Sequence, residues 1–402
     1  MFKTIVKPLF IVSIALIGLQ ACTQVKVVRV PTPLNELISP YKVDLQWQLI
    51  NDSLDYSDSE GLFFARDDRQ LYYANTSGIV TAANIAGDGR WDDQIAWQRK
   101  FNAPIVSGPI RIKQGLIVGT AKAQLMLLSA ENGSIQWQAE LSSEVLSKAV
   151  VADDDYVSNA VFVRTVDGKL NSVNLNTGRV NWTVSHSLPK LSLRGIAPVT
   201  YHEGVVYVGW ESGKVEALDA STGELKWQSQ VVIAKGRTDL ERLIDLQAEM
   251  VIKNGRLYVF GYHGKLVALN PDNGNLYWAK KISGYQDFIV DAKTLYLVDE
   301  DDILNAYDLS TGTRLWRQAN FKYRKLADLV SYGDKFILLA DGQGYFHWVD
   351  KIDGSAVARA THVELDNFGQ EIVRVAVEGN KIFTLDMQGY VSYYLVSHSA
   401  SL

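Results

Sequence analysis

The sequence predicts an all-β protein: an eight-bladed β-propeller whose blades are four-stranded antiparallel sheets. Two observations support this prediction. A tryptophan recurs at one phase of a repeat, with neighbours 50, 40, 45, 45, 51 and 38 residues apart, a spacing typical of propeller repeats. Between the tryptophans, short strands of alternating apolar and polar residues are separated by glycine turns, which argues against helices. The series comprises Trp47, Trp97, Trp137, Trp182, Trp227, Trp278 and Trp316.

The fourth unit shows how one repeat forms one blade. Residues 204–209, 214–219 and 224–229 have the pattern of consecutive strands, and a further strand is expected near residues 195–200. Gly223 follows Ser221-Thr222, where a tight turn needs a positive φ that glycine adopts without steric cost. Four antiparallel strands in about 45 residues make one propeller blade.

The number of repeats predicts how the ring closes. The unit after Trp316 ends near Ala358, where the tryptophan is missing, and residues 371–396 contain only three strands. An N-terminal strand at residues 42–49 would complete that last blade and remove exposed sheet edges. The sequence therefore predicts eight blades over residues 41–398, and a seven-bladed ring is the close alternative.

The recurring tryptophans allow two interpretations. They could stack on a ligand, or they could pack between adjacent blades and bury a large apolar area at each interface. Because the indole recurs at one phase of every unit, we interpret the series as structural core.

The N-terminus has the pattern of a lipoprotein signal. Residues 1–21 combine a basic start with an apolar stretch too short to span a bilayer comfortably. The segment Leu19-Gln20-Ala21-Cys22 resembles a bacterial lipobox, and Cys22 is the only cysteine of the chain. We predict a signal peptide over residues 1–21 and attachment of lipid, including palmitate, at Cys22. The alternative is an ordinary signal peptide cleaved after Ala21.

Residues 22–40 contain three prolines and little periodic pattern, so we predict a lipidated tether. Thr23 follows the cysteine, whereas an aspartate there favours inner-membrane retention in similar lipoproteins. That resemblance implies anchoring in the outer membrane, facing the periplasm. Several acyl chains on one cysteine would make such an anchor stable.

Composition argues against several other functions. Without residues 1–21 the chain has 38 basic and 45 acidic residues, a net charge of about −7 that disfavours nucleic-acid binding. The basic residues 322–325 are interpreted as a solvated loop. Six histidines lack zinc-site spacing, and the acidic runs at 153–155 and 299–302 lack EF-hand spacing and are interpreted as turns. We predict no metal site, no cofactor and no catalytic residue.

The repeat resembles that of quinoprotein alcohol dehydrogenases, whose eight-bladed rings bind pyrroloquinoline quinone (PQQ) and calcium. This resemblance implies a periplasmic quinoprotein dehydrogenase as the alternative function. Those enzymes hold the quinone between a tryptophan and a disulfide of adjacent cysteines, and Cys22 has no second cysteine with which to form one. We therefore expect shared architecture without the chemistry.

Lipobox, tether and tryptophan-marked ring together resemble the BamB family of lipoproteins, subunits of the outer-membrane β-barrel assembly machinery, over nearly the full length. The most specific local features are residues 191–195 and the long connection 235–246. The resemblance implies a non-enzymatic scaffold that docks these loops on the periplasmic POTRA domains of BamA and assists insertion of β-barrel proteins. Binding of unfolded outer-membrane protein clients is a second expectation. A propeller serving another envelope complex is a third class of function.

Five residues are candidates for partner binding. Leu191 and Leu193 share one side of an extended segment, and Arg194 beside them offers a planar fork of donors. Arginine beside apolar anchors is a composition typical of interface hot spots. In the second loop the candidates are Asp239 and Asp245. Asp245 is the first acid of the family's Asp-x-Asp pair, and Gln247 stands at the position of the second. The alternative is that both leucines pack into the sheet and Arg194 is a solvated rim charge.

Overall fold

The structure, a computed structural model, describes residues 29–50, 61–86, 91–152, 154–189, 191, 197–233, 237–238, 244–284, 286–361 and 371–398. These residues form eight separate four-stranded sheets in which neighbouring strands are antiparallel. The predicted all-β, eight-bladed architecture is confirmed, and the seven-bladed alternative is wrong.

Each blade takes its strands in chain order, except that β1 (Tyr41–Ile50) belongs to the last blade. Blade 1 contains β2 (Ala65–Arg66), β3 (Gln70–Ala74), β4 (Ile79–Asn84) and β5 (Ile95–Lys100), with the short helix α1 (Trp91–Gln94) before β5. Blade 2 contains β6 (Ile105–Ile112), β7 (Gly115–Thr120), β8 (Gln124–Leu128) and β9 (Ile135–Glu140). Blade 3 contains β10 (Val150–Ala152), β11 (Ala160–Thr165), β12 (Lys169–Asn174) and β13 (Val180–Ser185). Blade 4 contains β14 (Thr200–His202), β15 (Val205–Gly209), β16 (Lys214–Asp219) and β17 (Leu225–Gln230).

The second half of the ring repeats this arrangement. Blade 5 contains β18 (Val251–Lys253), β19 (Arg256–Val259), β20 (Leu266–Leu269) and β21 (Leu276–Lys280). Blade 6 contains β22 (Ile289–Val290), β23 (Thr294–Val298), β24 (Leu304–Asp308) and β25 (Arg314–Gln318). Blade 7 contains β26 (Val330–Tyr332), β27 (Phe336–Ala340), β28 (Tyr345–Asp350) and β29 (Ala356–Thr361). Blade 8 contains β30 (Ile372–Glu378), β31 (Lys381–Asp386) and β32 (Tyr390–His398), with β1 as its outer strand.

The N-terminal strand closes the ring as predicted. β1 pairs antiparallel with β32, from Tyr41 opposite His398 to Ile50 opposite Tyr390. Eight clusters of buried apolar side chains lie one at each interface between neighbouring blades, including the interface of blades 8 and 1. The hydrophobic core therefore forms a continuous belt around the ring.

The seven tryptophans join adjacent blades, which confirms the structural interpretation. Each indole Nε1 donates a hydrogen bond to a backbone carbonyl of the following blade, at a separation of 31 to 44 residues in the chain. Gly274 and Gly354 each lie against the indole of the preceding blade, where a Cβ would come within 2.5 Å of the ring. The acceptors of Trp47, Trp97, Trp137, Trp182, Trp227, Trp278 and Trp316 are Ile85, Ala130, Leu175, Ala220, Pro271, Leu309 and Lys351.

Blade 7 lacks the tryptophan of its outer strand, and another indole takes its place. Ala358 occupies the expected position and pairs with Trp348 on β28. Trp348 is fully buried and packs against Tyr41 of blade 8, with ring centroids 5.2 Å apart. The third strand of blade 7, instead of the outer strand, therefore supplies the tryptophan at the interface of blades 7 and 8.

One strand boundary was predicted wrongly. The inner strand of blade 4 begins at Thr200 instead of spanning residues 195–200. Pro198 lacks the N–H that a ladder requires, so pairing starts after it. Within the described ranges, no helix is sufficiently long and apolar to cross a lipid bilayer.

Candidate docking surface

Antiparallel strand order separates the loops of the ring into two faces. The turns between second and third strands lie on the same face as the connections between blades, because each strand reverses the direction of the chain. We call this side the connection face. On blade 4 it carries the turn at residues 210–213 and the described residues of the preceding connection 186–199 and of the following connection 231–250. These two connections, here called docking loops, contain the predicted partner-binding residues.

Exposed apolar side chains of the connection face concentrate on the docking loops. Leu188, Leu191 and Ile233 are exposed, Ile233 to 66%. Among the described residues, the other exposed large apolar side chains lie on outer strands, in turns of the opposite face or in residues 30–38. These three side chains make the docking loops the candidate contact surface of this face.

A buried ion pair within the ring supports the first docking loop. Arg164 of β11 and Glu211 of the blade 4 turn are both buried, with Nη2 and Oε1 2.5 Å apart. Arg164 Nη1 also donates to the Gly209 carbonyl at 3.0 Å, and its guanidinium lies 4.7 Å from the centre of the Trp210 ring. Because an unpaired buried charge is costly, this network holds the turn of blade 4 against blade 3.

The first docking loop begins with a histidine that joins this network. The His186 ring stacks on Trp210 with centroids 4.1 Å apart, and its Nε2 lies 2.8 Å from Glu216 Oε2. The same carboxylate oxygen accepts a hydrogen bond from Trp210 Nε1 at 3.0 Å. We call Arg164, His186, Trp210, Glu211 and Glu216 the blade 4 cluster. It fixes the direction in which the chain leaves β13.

Sequence analysis missed the blade 4 cluster. Trp210 lies outside the periodic tryptophan series, and Glu216 is a buried acid within a strand. Two features of the sequence could have indicated this cluster: Trp210 is out of phase with the repeat, and Glu216 is a charged residue at a core position of a strand.

The second docking loop is anchored at both ends. The amides of Val231 and Val232 both donate to the Gly213 carbonyl, at 3.0 and 3.1 Å. At the other end, Ile244 and Leu246 are buried in the core between blades 4 and 5. These contacts fix both ends of the second docking loop to the core of blades 4 and 5.

The predicted site residues are in different situations. Leu191 is exposed, as a contact residue requires. Asp245 is 3% exposed, and its carbonyl accepts a hydrogen bond from the Tyr262 amide at 2.8 Å. Leu193, Arg194 and Asp239 lie outside the described residues, as does the lipid site Cys22. Partner contact by these residues stays a prediction.

Two other sequence interpretations have different outcomes. The basic segment 322–325 was interpreted as a solvated loop, which is wrong for Arg324: it is 3% exposed and pairs with Asp341 at 2.7 Å. The interpretation of the acidic runs as turns is confirmed at Asp299, whose Oδ1 accepts the amides of Asp301 and Ile303. In the described part of the chain, no group of three His, Cys, Asp or Glu side chains converges to hold a metal ion.

Charged residues line the mouth of the central channel on the connection face. Lys148 Nζ lies 2.9 Å from Glu249 Oε2, which links the entry to blade 3 with the entry to blade 5. Asp287 accepts the Glu249 amide at 2.6 Å. Asp287 is exposed to solvent, but the protein around it removes part of its hydration and, with the nearby negative charges of Glu249 and Asp328, raises its pKa to about 6.

The fold and this surface define an eight-bladed propeller with tryptophan-joined blades and an anchored loop surface on one face. Residues 76–318 match the family model described as outer membrane protein assembly factor BamB. The chain belongs to the BamB family, and the resemblance seen in the sequence is confirmed.

Individual relatives agree with this assignment. The chain is 34% identical over 319 residues to the outer membrane protein assembly factor BamB of Escherichia coli (strain K12), covering 78% of this chain and 79% of the relative. The crystal structure of BamB from Moraxella catarrhalis matches with a TM-score of 0.74 at 24% identity, covering 88% of this chain and all of that one. A europium-containing methanol dehydrogenase matches with a TM-score of 0.67 at 13% identity, covering 85% and 84%. These two structural likenesses show the fold alone.

Proposed function

We propose that this chain is a non-enzymatic scaffold subunit of the outer-membrane protein assembly complex. Family membership supports the role, and one structural observation carries the proposal: the docking loops expose Leu188, Leu191 and Ile233 above an anchored base. A rigid base lowers the entropy lost when loops become ordered on binding. The ring would act by presenting this surface.

The proposed partner is BamA, contacted through its periplasmic POTRA domains. Leu191 and Leu193 would insert as apolar anchors, and Arg194 would donate to carboxylates or carbonyls of the partner. Asp239 would present negative charge from the second loop. Asp245, being buried, would contribute by holding that loop in position.

The proposed location is the periplasmic side of the outer membrane. Residues 1–21 would be removed, Cys22 would carry the lipid, residues 22–40 would form the tether and residues 41–398 the propeller. Mass spectrometry of the mature N-terminal peptide tests this proposal. A peptide that begins at Cys22 with acyl chains is expected, and an unmodified Cys22 contradicts lipid anchoring.

A second part of the proposal concerns unfolded β-barrel clients. Outer strands such as β17 and β21 have one unpaired edge, to which an extended client could add as a further strand. Crosslinking of a bound client to the outer strands is the expected result. Crosslinks confined to other surfaces would contradict strand addition.

Retention of BamA by the full-length lipoprotein from solubilised membranes tests the scaffold role. The parent chain should retain BamA, and failure to do so contradicts the proposal. Replacing Leu193 and Arg194 together by alanine should reduce retention about tenfold, as expected when hot-spot side chains are truncated, without unfolding the ring.

A single change, Leu191→Ser, should reduce retention less, because only one anchor is lost. The matched control is Leu225→Ser, which alters an exposed leucine on the outer strand of blade 4. Equal retention by a folded Leu193/Arg194 double variant and its parent would remove these residues from the site.

The alternative function is a quinoprotein dehydrogenase, which would bind PQQ and calcium. Calcium prefers several oxygen ligands, and in the ranges described here no three His, Cys, Asp or Glu side chains converge. Addition of PQQ and calcium, followed by absorbance and dye-linked alcohol oxidation, should give neither a bound chromophore nor turnover. Quinone-dependent oxidation would instead establish the enzyme.

A further inference from the structure

The chain before β1 is bound to the outside of blade 7. The Thr32 amide donates to the Lys322 carbonyl at 3.0 Å on the connection face. Three residues later, the Asn35 carbonyl accepts a hydrogen bond from Arg359 of the outer strand β29. Residues 31–40 therefore run along blade 7 toward the opposite face, where β1 begins at Tyr41.

Arg324 holds this segment from within the protein. Its Nε donates to Asp341 Oδ2 at 2.7 Å, and its Nη1 donates to the Thr32 carbonyl at 2.9 Å. Arg324 and Asp341 are 3% and 0% exposed. The carboxylate thus orients a buried guanidinium so that it meets a main-chain oxygen, a charge-assisted contact stronger than a neutral hydrogen bond.

A second arginine is oriented through His347. Arg359 Nη1 donates to the Asn35 carbonyl at 2.7 Å, and its Nε lies 3.4 Å from His347 Nδ1. His347 Nε2 lies 2.7 Å from Asp341 Oδ2. Neutral His347 with the proton on Nε2 satisfies both contacts, since Nδ1 can then accept from arginine. One carboxylate consequently orients both guanidinium groups.

We propose that Arg324 and Arg359, oriented by Asp341 and His347, form a binding site for an extended peptide, and that its occupant is the segment 31–35 of the same chain. We call these four residues the blade 7 clamp. The clamp recognises main-chain carbonyls, so its ligand needs an extended backbone more than particular side chains.

The occupant has the backbone that such a site requires. Thr32 stands between Pro31 and Pro33, and a residue that precedes proline is restricted to extended conformations. The two prolines also reduce the conformational freedom of the unbound segment, which lowers the entropic cost of binding it.

The clamp would determine where the tether leaves the ring. Thr32 lies on the connection face, the face of the docking loops, but at blade 7 instead of blade 4. Ten peptide units separate Thr32 from Cys22 and span at most about 35 Å. If Cys22 carries lipid, which rests on the proposed function, the clamp holds this side of the connection face within that distance of the membrane.

Amide hydrogen exchange of the full-length chain in detergent tests the clamp without any partner protein. The parent should protect the Thr32 amide. Arg359→Ala and Arg324→Lys should each accelerate exchange in residues 30–38 about tenfold, as expected for loss of one hydrogen bond to a charged donor. Arg256→Ala is the matched control, because Arg256 also donates to main-chain carbonyls, those of Leu309 and Ser310, away from the segment.

Two outcomes would overturn the proposal: an unprotected Thr32 in the parent, or unchanged protection in both folded variants. Amides of β27 report whether blade 7 remains folded. If an arginine variant unfolds the blade, Pro33→Gly decides, since it loosens only the occupant: faster exchange at Thr32 supports the clamp, and unchanged exchange contradicts it. Because BamA is absent from this experiment, its result is independent of the retention assay.

Discussion

The turns between the second and third strands of blades 4 and 7 each contribute the carboxylate of a buried arginine–carboxylate pair. Glu211 in the blade 4 turn pairs with Arg164 of blade 3, and Asp341 in the blade 7 turn pairs with Arg324 of the connection before that blade. The difference lies in the attached histidine. His186 begins a docking loop and is partly exposed, whereas His347 lies within β28 and is fully buried.

This difference shows that similar pairs position different segments. In blade 4 the cluster directs a connection that leaves the ring with exposed leucines. In blade 7 the clamp holds a segment that enters the ring. Because replacing a buried ion pair by apolar residues is often neutral or stabilising, the segments that these pairs position explain them better than stability alone. The experiments below separate the two regions.

The largest effect is expected from Asp341→Ala. It leaves Arg324 buried without its carboxylate and removes the partner of His347, so the free energy of unfolding should fall by about 3–5 kcal/mol. Denaturant unfolding measures the change. Asp353→Ala, in an exposed turn of the same blade, is the control and should lower the free energy of unfolding far less, because Asp353 makes only exposed contacts with Ser355. Equal losses would contradict the assignment.

Glu211→Ala should lower the free energy of unfolding by a smaller amount, about 2–3 kcal/mol. Arg164 keeps the Gly209 and Ala197 carbonyls as acceptors, and its guanidinium lies 4.7 Å from the Trp210 ring. Arg324 keeps the Thr32 carbonyl and lies 5.7 Å from the Tyr345 ring, so the charge of Arg164 is better compensated. BamA retention should fall while the Thr32 amide stays protected. Loss of protection at Thr32 would show that the two regions are coupled.

Lower pH should loosen blade 7 before blade 4. Burial lowers the pKa of His347, so the folded protein favours the neutral ring. Burial alone would raise the pKa of Asp341, but the hydrogen bond from His347 and the charge of Arg324 lower it below its usual range. The stability from neutral His347 is complete above about pH 6.5 and is lost as the pH falls through the lowered pKa.

Hydrogen exchange of residues 30–38 between pH 7.5 and 5 measures this loss, after correction for the intrinsic pH dependence of exchange. As the pH falls, the corrected protection of residues 30–38 should decrease, while the protection of the β16 amides should change less. A His347→Gln variant, which keeps a donor but does not titrate, should have a flatter profile. A profile as steep as that of the parent would exclude His347 as the cause.

The smallest change in the free energy of unfolding is expected from a substitution at Asp287, at the mouth of the central channel. The pKa of Asp287, about 6 when folded, lies above its unfolded value, so the charged form destabilises the protein and stability rises as the pH falls from 6 toward 4. Asp287→Asn should stabilise the protein at pH 7 by about 1 kcal/mol, a value limited by screening from water in the channel. Thermal unfolding at pH 7 and pH 4.5 tests this, and destabilisation at pH 7 would contradict it.

The candidate site was only partly predictable. The docking loops were located through the resemblance to the BamB family, carried by residues 191–195 and by the long connection 235–246. The blade 4 cluster that supports the first docking loop could not be predicted. Its residues Arg164, Glu211 and His186 are far apart in the chain and meet only when blades 3 and 4 pack. Arg324 was misinterpreted for the same reason: its buried partner Asp341 lies 17 residues away on the next blade.

Periodicity determined the fold. Tryptophans at one phase, glycine turns and an incomplete last unit were sufficient for eight blades and for closure by residues 42–49, because each of these signals is local and repeated. Tertiary structure alone decided which polar side chains are buried together, how Trp348 replaces the missing tryptophan of blade 7, and where residues 31–35 are bound. These features depend on contacts across blade interfaces, which a repeat pattern in the chain does not encode.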